Sequence, residues 1–398
     1  MSPNRAIPYA KQTLSNTDIE AVVATLKSDW LTQGPKIGEF EERLAESCGA
    51  KYAVAVSHGT AALHLAMLAI GIKPGDRVIT TTMSFVATSN SIIYAGGKPV
   101  FADIKPGTFN IDSDHIEKKL FARSGVKAIL PVHFGGMPAE MESIHRIAKT
   151  HHLRVIEDAC HALGGVWTDS NGEEHRIGDG AFSDMTVFSF HPVKQITTAE
   201  GGAIVTNHPE LYEKLVLLRN HGITKDSKQL RKDEGGWYYE MQELGFNYRI
   251  SDVQAALGLQ QLQKNDAWVK RRLDLVKKYD SAFSGSRDLG HQIHPANDRI
   301  SYHLYVVQTP WRKALYEYLR ERGVFTQVHY IPIHLHPYYQ RNYGYKPGDF
   351  PVAEAYYSKA LSLPLYPSLS DEEQDYVIHS ILEFHRERTI HRRSGLQS

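Results

Sequence analysis

A lysine near the middle of the chain is the first candidate for chemistry. Lys194 follows an apolar run at residues 185–188 and a turn that contains Pro192, and small, hydroxyl-bearing and glycine residues come after it. The apolar run predicts a strand, and the proline predicts its end. A lone lysine after a strand is ordinarily a solvated surface residue. A lysine held at the end of a buried strand can instead lose its proton and attack an aldehyde.

A strand, a small-residue turn and a helix follow one another at residues 53–70. The turn is Ser57-His58-Gly59-Thr60, and an Ala- and Leu-rich helix follows it. A helix that begins at Thr60 has free main-chain N–H groups at its N-terminus, and such a site suits a phosphate. Thr60 can equally be the N-cap of this helix. The local sequence leaves both roles open.

An acid lies at the end of another predicted strand. Asp158 follows residues 155–157, at a position where ligands bind in open α/β sheets; capping of the next turn is the ordinary alternative. With Lys194, the anion site at Gly59 and Thr60 and the hydroxyl of Ser189, this carboxylate completes the set that pyridoxal phosphate requires. The aldehyde needs a lysine, the phosphate needs N–H and hydroxyl donors, and the ring nitrogen needs a carboxylate that keeps it protonated.

The elements that must position these groups alternate along the chain. Strands are predicted near residues 77–81, 99–103, 126–132, 153–157 and 202–206, with helices between several of them. This alternation predicts an α/β fold with a mainly parallel sheet that is covered on both faces. From about Trp268 the composition changes to a charged helix followed by strands and turns. We therefore predict a large domain at residues 1–265 and a smaller C-terminal α+β domain at residues 266–398.

Composition and charge limit the classes of function. The chain has 398 residues, with 45 Lys plus Arg against 45 Asp plus Glu, so its bulk charge indicates neither nucleic acid nor a membrane surface as a partner. Cys48 and Cys160 are its only cysteines, too few for a disulfide framework. The N-terminus lacks the apolar segment of a leader, and no long apolar run follows. We expect a cytoplasmic protein.

Three histidines, His329, His334 and His336, lie within eight positions. A zinc site is conceivable here. We expect no metal, because His334 and His336 lack the i,i+4 spacing of helical ligands and no obvious carboxylate accompanies them. Contacts with a sugar or a phosphate are the favoured interpretation.

Taken together, these segments resemble the DegT/DnrJ/EryC1/StrS family of sugar aminotransferases, which are pyridoxal-phosphate enzymes of fold type I. The resemblance covers nearly the whole chain, and four segments carry it: residues 57–63, 157–161, 189–198 and 245–249. Within the family, four segments resemble the branch that aminates C4 of a sugar nucleotide in pseudaminic acid synthesis: residues 7–9, 31–35, 189–198 and 327–330. His58 stands where the family often has Asn, and residues 83–85 depart from a Pro-x-Thr-Phe pattern.

The resemblance implies roles for individual residues. Lys194 would form the Schiff base with the cofactor, and Asp158 would hold the ring nitrogen. His161 would lie near the phenolic oxygen, and Phe85 would cover the ring. The phosphate would be held by Gly59, Thr60 and Ser189, with Asn247 from the second subunit of a homodimer. The substrate would be contacted by Tyr9, Trp30, Leu31, Thr32, Gln327, Val328, His329 and Tyr330.

The resemblance also implies a reaction. An amino group would move from L-glutamate, with the cofactor passing through its pyridoxamine phosphate form, to C4 of a UDP-4-keto-6-deoxy-N-acetylhexosamine. Three alternatives remain. One is a family member that acts on another sugar or carbon. Another is a pyridoxamine-dependent dehydratase, against which Lys194 argues because the family has His at that position. The third is a catalytically silent binding or regulatory protein on the same fold.

Overall fold

The computed structural model describes residues 6–232, 234–286, 288–293 and 299–394, with the backbone alone for 389–394. The helices are α1 (Asn16–Leu26), α2 (Pro35–Cys48), α3 (Gly59–Ala69), α4 (Ala87–Tyr94), α5 (Ser113–Ala122), α6 (Met141–Thr150), α7 (Pro209–Arg219), α8 (Asp252–Leu262), α9 (Asn265–Phe283), α10 (Arg312–Glu321), α11 (Pro337–Tyr343), α12 (Pro351–Lys359) and α13 (Asp371–Ser394). Within the described ranges, none of these helices is both long and apolar enough to cross a membrane.

The strands are β1 (Tyr52–Val56), β2 (Arg77–Thr81), β3 (Lys98–Ala102), β4 (Val126–Leu130), β5 (Arg154–Asp158), β6 (Val166–Thr168), β7 (Glu174–Arg176), β8 (Met185–Ser189), β9 (Gly202–Thr206), β10 (Ile223–Thr224), β11 (Glu240–Met241), β12 (Gly290–His291), β13 (Tyr305–Gln308) and β14 (Ala360–Leu363). Short 3-10 turns occur at Phe134–Gly136 and Ile333–Leu335.

The large sheet has seven strands in the order β1-β9-β8-β5-β4-β2-β3. Strand β9 runs antiparallel to both of its neighbours, and the other pairs are parallel. Successive side chains enter different cores: in β1, Ala53 and Ala55 belong to one, while Val54 and Val56 belong to the other. Both faces are therefore covered, which confirms the predicted mainly parallel α/β architecture and explains why its strands are continuous apolar runs.

The C-terminal part has its own antiparallel sheet, β12-β13-β14. A separate core surrounds it and includes residues of α9, α10 and α13. A further cluster joins the two parts, and in it Phe101 and Phe134 pack with Tyr339 and Phe350. The predicted boundary at residue 265 falls at the start of α9. The outer limits of the two predicted domains, residues 1 and 398, lie outside the described residues, and the division into domains stays a prediction.

The capping box predicted at α8 forms, and it holds the loop before that helix. The N–H of Gln254 donates to Ser251 Oγ (3.3 Å), and the N–H of Ser251 donates to Gln254 Oε1 (3.0 Å). The carboxylate of Asp252 also accepts the N–H groups of Gly34 (2.7 Å) and Lys36 (2.9 Å). The N-terminus of α8 thereby fixes the loop that connects α1 to α2.

Candidate active site

The carboxyl ends of β1, β5 and β8 open into a cavity of about 590 Å³, within the usual size of small-molecule sites. Residues of the C-terminal part line it from the other side. Twelve predicted site residues line this cavity: Tyr9, Gly59, Thr60, Phe85, Asp158, His161, Ser189, Lys194, Gln327, Val328, His329 and Tyr330. The tertiary structure thus brings the lysine, the acid, the hydroxyl and a helix N-terminus to one place.

Lys194 lies on a loop that leaves β8 and is tied back to its own start. The N–H of Phe190 donates to the carbonyl of Gly201 (2.9 Å), and the N–H of Thr198 donates to the carbonyl of Phe190 (3.0 Å). The N–H of Lys194 donates to the carbonyl of His191 (2.9 Å) in a turn within this loop. Burial lowers the pKa of the Lys194 amine below its ordinary value. A larger fraction of the amine is therefore unprotonated and able to attack an aldehyde.

Asp158 is the last residue of β5. The sequence pattern placed it just after the strand, so the strand ends one residue later than predicted. The residue is 4% exposed. Thr88 Oγ1 donates to its Oδ2 (2.7 Å), and the N–H of Cys160 donates to its Oδ1 (3.2 Å). These bonds fix the direction of the carboxylate and leave it acceptor capacity toward the cavity. A carboxylate so held fits the ring nitrogen of pyridoxal phosphate.

Thr88 was not found by sequence analysis. It lies on α4, and its hydroxyl is 2.7 Å from the hydroxyl of Ser84, four positions earlier. The i,i+4 spacing of two hydroxyls was the only signal, and it is common in exposed helices as well. The contact with Asp158 depends on packing of α4 against the end of β5, which no local pattern reports.

The N-terminus of α3 closely approaches the end of β8 and the start of β9. A Cβ built on Gly59 would lie 2.9 Å from the Cβ of Ser189, and one on Gly202 would lie 2.7 Å from the nitrogen of Gly59. Larger residues would push these elements apart. The first N–H groups of a helix have no partner within it, so those of Gly59 and Thr60 can bind an anion beside the Ser189 hydroxyl. This cradle fits the phosphate of the cofactor.

His58 is the N-cap of α3. Its Nδ1 accepts the N–H of Ala61 (2.9 Å). An Asn side chain caps a helix in the same way, which accounts for His at a position where the family often has Asn. The alternative in which Thr60 caps this helix is therefore wrong. Thr60, two residues after the cap, lines the cavity. Its contact with the phosphate stays a prediction.

His161 and Tyr330 form a hydrogen-bonded pair at the cavity. The N–H of Gly135 donates to His161 Nδ1 (3.3 Å), and His161 Nε2 lies 3.1 Å from Tyr330 Oη. Burial and the nearby charge of Lys194 lower the pKa of His161 well below its ordinary value, so the ring is neutral. Since Nδ1 accepts, the single ring proton lies on Nε2 and is donated to Tyr330. The hydroxyl of Tyr330 keeps its own proton to donate into the cavity.

His303 is a cavity residue that sequence analysis missed. Its ring centroid lies 4.4 Å from that of His161. The main-chain N–H of His303 donates to the carbonyl of Gly135 (2.8 Å). Its Nδ1 is buried without a hydrogen-bond partner in the described part of the chain. Burial, together with the charge of Lys194, lowers the pKa of His303 well below its ordinary value. No motif marks this histidine, which precedes β13 and meets the site only through the packing of the two parts.

We expect the cofactor-free protein to lose stability as the pH falls below about 6.5, the ordinary pKa of histidine. Burial lowers the pKa of His161 and His303, and that of His329 to about 3. The unfolded chain then binds protons that the folded chain does not. The free energy of unfolding should fall by up to about 1.4 kcal/mol per pH unit for each histidine. Urea unfolding at several pH values measures this slope, and a His329→Gln variant with an unchanged slope would contradict it.

Phe85 lies at the mouth of the cavity, just before α4, and is 57% exposed. Its ring centroid is 6.1 Å from that of Tyr330, with the planes tilted by 50°. On the same side, the ring of Tyr9 lies 5.2 Å from that of His329. These aromatic groups line the cavity together with the segment that carries Tyr330. The proposed stacking of Phe85 on a cofactor ring stays a prediction.

Four predicted site residues lie away from the cavity of their own chain. Trp30 and Leu31 are about half exposed. Thr32 forms an isolated β-bridge with Ser251, the N-cap of α8, and Asn247 forms one with Asn220 at the end of α7. The sequence analysis assigned Asn247 to the active site of a second subunit. The roles of all four stay predictions.

Both ring nitrogens of His334 are engaged within the protein. Nδ1 lies 2.6 Å from Thr82 Oγ1, and Nε2 lies 3.0 Å from Glu354 Oε1. Burial lowers the pKa of His334, so the neutral ring accepts from the threonine and donates to the carboxylate. No lone pair remains on His334 for a metal. The relay instead ties the segment that carries His329 and Tyr330 to the end of β2 and to α12.

Replacing His334 by alanine should therefore lower the free energy of unfolding by about 3 kcal/mol. The change removes two hydrogen bonds and leaves the buried hydroxyl of Thr82 without its acceptor. His379→Ala on the exposed side of α13 is the matched control, with an expected change within about 0.5 kcal/mol. Chemical denaturation of both variants measures the difference. Equal effects would show that the relay does not hold this segment.

Comparison with known protein families gives one match over nearly the whole chain. The model of the DegT/DnrJ/EryC1/StrS aminotransferase family matches residues 12–382. The chain is 42% identical to the spore coat polysaccharide biosynthesis protein SpsC of Bacillus subtilis, over 95% of this chain and 97% of that protein. It is 38% identical to the UDP-4-amino-4,6-dideoxy-N-acetyl-beta-L-altrosamine transaminase of a Campylobacter jejuni strain, over 95% and 98% of the two chains.

Solved structures give the same fold. Helicobacter pylori PseC, an aminotransferase involved in the biosynthesis of pseudoaminic acid, is 35% identical with a TM-score of 0.88, over 96% of this chain and all of that one. The putative sugar aminotransferase Spr1654 of Streptococcus pneumoniae, in its PMP form, is 30% identical with a TM-score of 0.88, over 96% and 98% of the two chains.

Proposed function

We propose that this chain, which belongs to the DegT/DnrJ/EryC1/StrS aminotransferase family, moves an amino group from L-glutamate to C4 of a UDP-4-keto-6-deoxy-N-acetylhexosamine. Its family and its relatives in PLP and PMP forms make it a pyridoxal-phosphate-dependent sugar aminotransferase. The choice of sugar and carbon is supported by the likeness to the altrosamine transaminases and to PseC. The observation that carries the proposal is the cavity in which Lys194, Asp158 and Ser189 meet the N-terminus of α3.

The residues present divide the work of holding the cofactor. When bound, pyridoxal phosphate supplies an aldehyde that exchanges with amines and a ring that withdraws electrons. Asp158 would accept the ring N–H and favour the protonated ring by Coulomb attraction. Gly59, Thr60 and Ser189 would bind the phosphate, whose negative charge suits a helix N-terminus. Gly59 and Thr60 follow β1, whereas Asp158 ends β5 and Ser189 ends β8. The spacing of these three strands in the sheet therefore sets the spacing of the binding groups.

Lys194 would anchor the cofactor and then move a proton. Once its amine is free, it can accept and return the proton at the carbon that gains or loses the amino group. A pKa lowered by burial suits this exchange, because the buried amine gives up its proton more readily than a solvated lysine does. Tyr330, with its hydroxyl proton directed away from His161, can donate a hydrogen bond to an oxygen of the bound sugar.

Product analysis tests the reaction. The purified protein, loaded with pyridoxal phosphate and L-glutamate, is offered a panel of 4-keto and 3-keto UDP-sugars, and the products are analysed by mass and NMR. We expect amination at C4 of the 4-keto-6-deoxy-N-acetylhexosamine. Amination of a 3-keto sugar alone would overturn the assigned carbon. Amination of a different 4-keto sugar alone would overturn the assigned sugar.

We also propose a homodimer with active sites shared between subunits. Helix α1 supports this through an inverted pattern: Ile19, Val23 and Leu26 are exposed on one face at i, i+4 and i+7, while Asp18 and Thr25 are buried. An exposed apolar face of this kind favours contact with another chain. The exposed Trp loop that follows α1, and Asn247 near α8, would then serve the partner's cavity.

The dimer proposal predicts that Val23→Asp yields a monomer with turnover lowered about tenfold or more, since a charge in a dry interface is costly. Glu20→Lys, on a polar face of the same helix, is the matched control and should stay dimeric. Size-exclusion chromatography with light scattering gives the mass. Asn247→Ala should weaken binding of pyridoxal phosphate in the dimer and have no further effect in the Val23→Asp monomer. A dimeric Val23→Asp protein would contradict the proposed interface.

A further inference from the structure

Helix α9 carries an arginine that is buried and has no ion-pair partner within the described ranges of the chain. Arg272 is 2% exposed, and its Nε and Nη1 have no hydrogen-bond partner among the residues that the structure describes. Burial lowers the pKa of its guanidinium to about 10, so the group stays charged at neutral pH. An uncompensated charge in a protein interior is strongly unfavourable. Stability alone therefore does not explain a charged arginine at this position.

Among the described residues, the guanidinium of Arg272 has one hydrogen-bond partner, and it belongs to the candidate nucleophile. Its Nη2 donates to the main-chain carbonyl of Lys194 (3.3 Å). The next residue, Gln195, is held as well: its Nε2 donates to the carbonyls of His161 and Ser301, the latter at 3.1 Å. The dipeptide at the centre of the lysine loop is thus held by one side chain of α9 and by the main-chain carbonyls of His161 and Ser301.

A small cavity of about 10 Å³ lies behind the loop and is lined by Arg272, Lys194 and Gln195, among others. Its size is close to the lower limit for a single water molecule. None of the described residues that line it carries a carboxylate, so the lining offers the guanidinium no counter-charge. The arginine therefore keeps its charge against the back of the loop, on the side away from the large cavity.

The neighbouring arginine shows what an ordinary site on this helix looks like. Arg271 is partly exposed and donates through Nη2 to Asp371 Oδ1 (2.8 Å) and to the carbonyl of Leu369 (2.7 Å). Two adjacent residues of the same type thus have opposite surroundings. Of the two, Arg272 is the one whose guanidinium donates to the main chain of the lysine loop.

We propose that Arg272 is a positioning residue for Lys194. By holding the carbonyl of Lys194 from α9, it fixes the main chain from which the lysine amine enters the large cavity. Local rules of stability are most often broken where function requires it, and the unpaired guanidinium behind the lysine is such a break. The proposal requires only that the chain binds pyridoxal phosphate. Of its readouts, turnover alone rests on the proposed function.

The test is Arg272→Met, which keeps the length of the side chain and removes the charge and the bond. We expect an equal or higher melting temperature, because replacing buried charges by apolar groups is often neutral or stabilising. We also expect about a tenfold lower rate of covalent attachment of pyridoxal phosphate to Lys194, read by intact mass after borohydride reduction. With substrates, kcat should fall about tenfold while KM changes less than about threefold.

Arg271→Met is the matched control, with attachment and kcat within about twofold and a slightly lower melting temperature. If Arg272→Met does not fold, Arg272→Lys takes its place, because it keeps the cation but lacks the planar fork. Attachment at the rate of the parent protein in the folded variant would overturn the proposal, and so would a loss of attachment fully explained by unfolding. Attachment needs no sugar or amino donor, so it remains informative even if no keto sugar is aminated.

Discussion

Replacing Lys194 by alanine is expected to lower turnover by about 10⁴-fold or more, because the cofactor loses its covalent anchor and the substrate carbon loses its general acid and base. The cavity and the sheet should be undisturbed, since the loop is closed by main-chain bonds at Phe190 and Thr198. Steady-state kinetics with L-glutamate and the keto sugar measure the loss. Intact mass after borohydride reduction should show no attached cofactor.

Lys277→Ala is the matched control for this experiment. Lys277 lies on the exposed face of α9, and its loss should leave turnover within about twofold. A small primary amine added to the Lys194→Ala protein should restore part of the activity, because the cavity has room for it and the proton transfer does not require attachment to the chain. Undiminished turnover by a Lys194→Ala protein without attached cofactor would remove the lysine from the mechanism.

Replacing Asp158 by asparagine is expected to lower turnover by about 10²- to 10³-fold. Asparagine is nearly isosteric and can still accept the N–H of Cys160, so folding should be kept. Its amide carries no negative charge, however, and cannot hold a protonated ring nitrogen. Turnover is measured at matched cofactor content, which separates slower chemistry from weaker binding. A rate within about threefold of the parent protein would remove Asp158 from this role.

Thr88→Val tests whether the hydrogen bond from the threonine orients the carboxylate of Asp158. The change removes the hydroxyl that donates to Asp158 Oδ2 and keeps the volume of the side chain. Since the charge remains and only its orientation is released, we expect a smaller loss, about tenfold. A loss as large as that of Asp158→Asn would mean that the threonine itself acts on the cofactor.

Local sequence patterns predicted the elements that end at the site. Asp158 and Ser189 were assigned to strand ends because short apolar runs precede them, and a parallel sheet gathers such ends at one edge. The turn before α3 was recognised from its small residues, although its cap is His58 and not Thr60. These predictions succeeded because strand and helix ends depend on neighbours within a few positions.

Contacts between distant segments could not be predicted in this way. Thr88, His303 and Arg272 each reach the site from an element whose own pattern gives no reason for it. Thr88 depends on how α4 packs against the end of β5, whereas His303 and Arg272 belong to the C-terminal part and reach the site where that part meets the lysine loop. Packing depends on shape complementarity across the whole core, which side-chain periodicity does not encode.

The sequence by itself therefore determined the sheet-based architecture, the strand-end acid and hydroxyl, and the lysine that follows β8. Only the tertiary structure decided which partners surround that lysine: the buried neutral histidines, the pair of His161 and Tyr330, and the unpaired guanidinium of Arg272. The physical reason is that burial sets the protonation of these groups, and burial is a property of the assembled fold. Local sequence places a residue at the end of an element, and packing decides what it meets there.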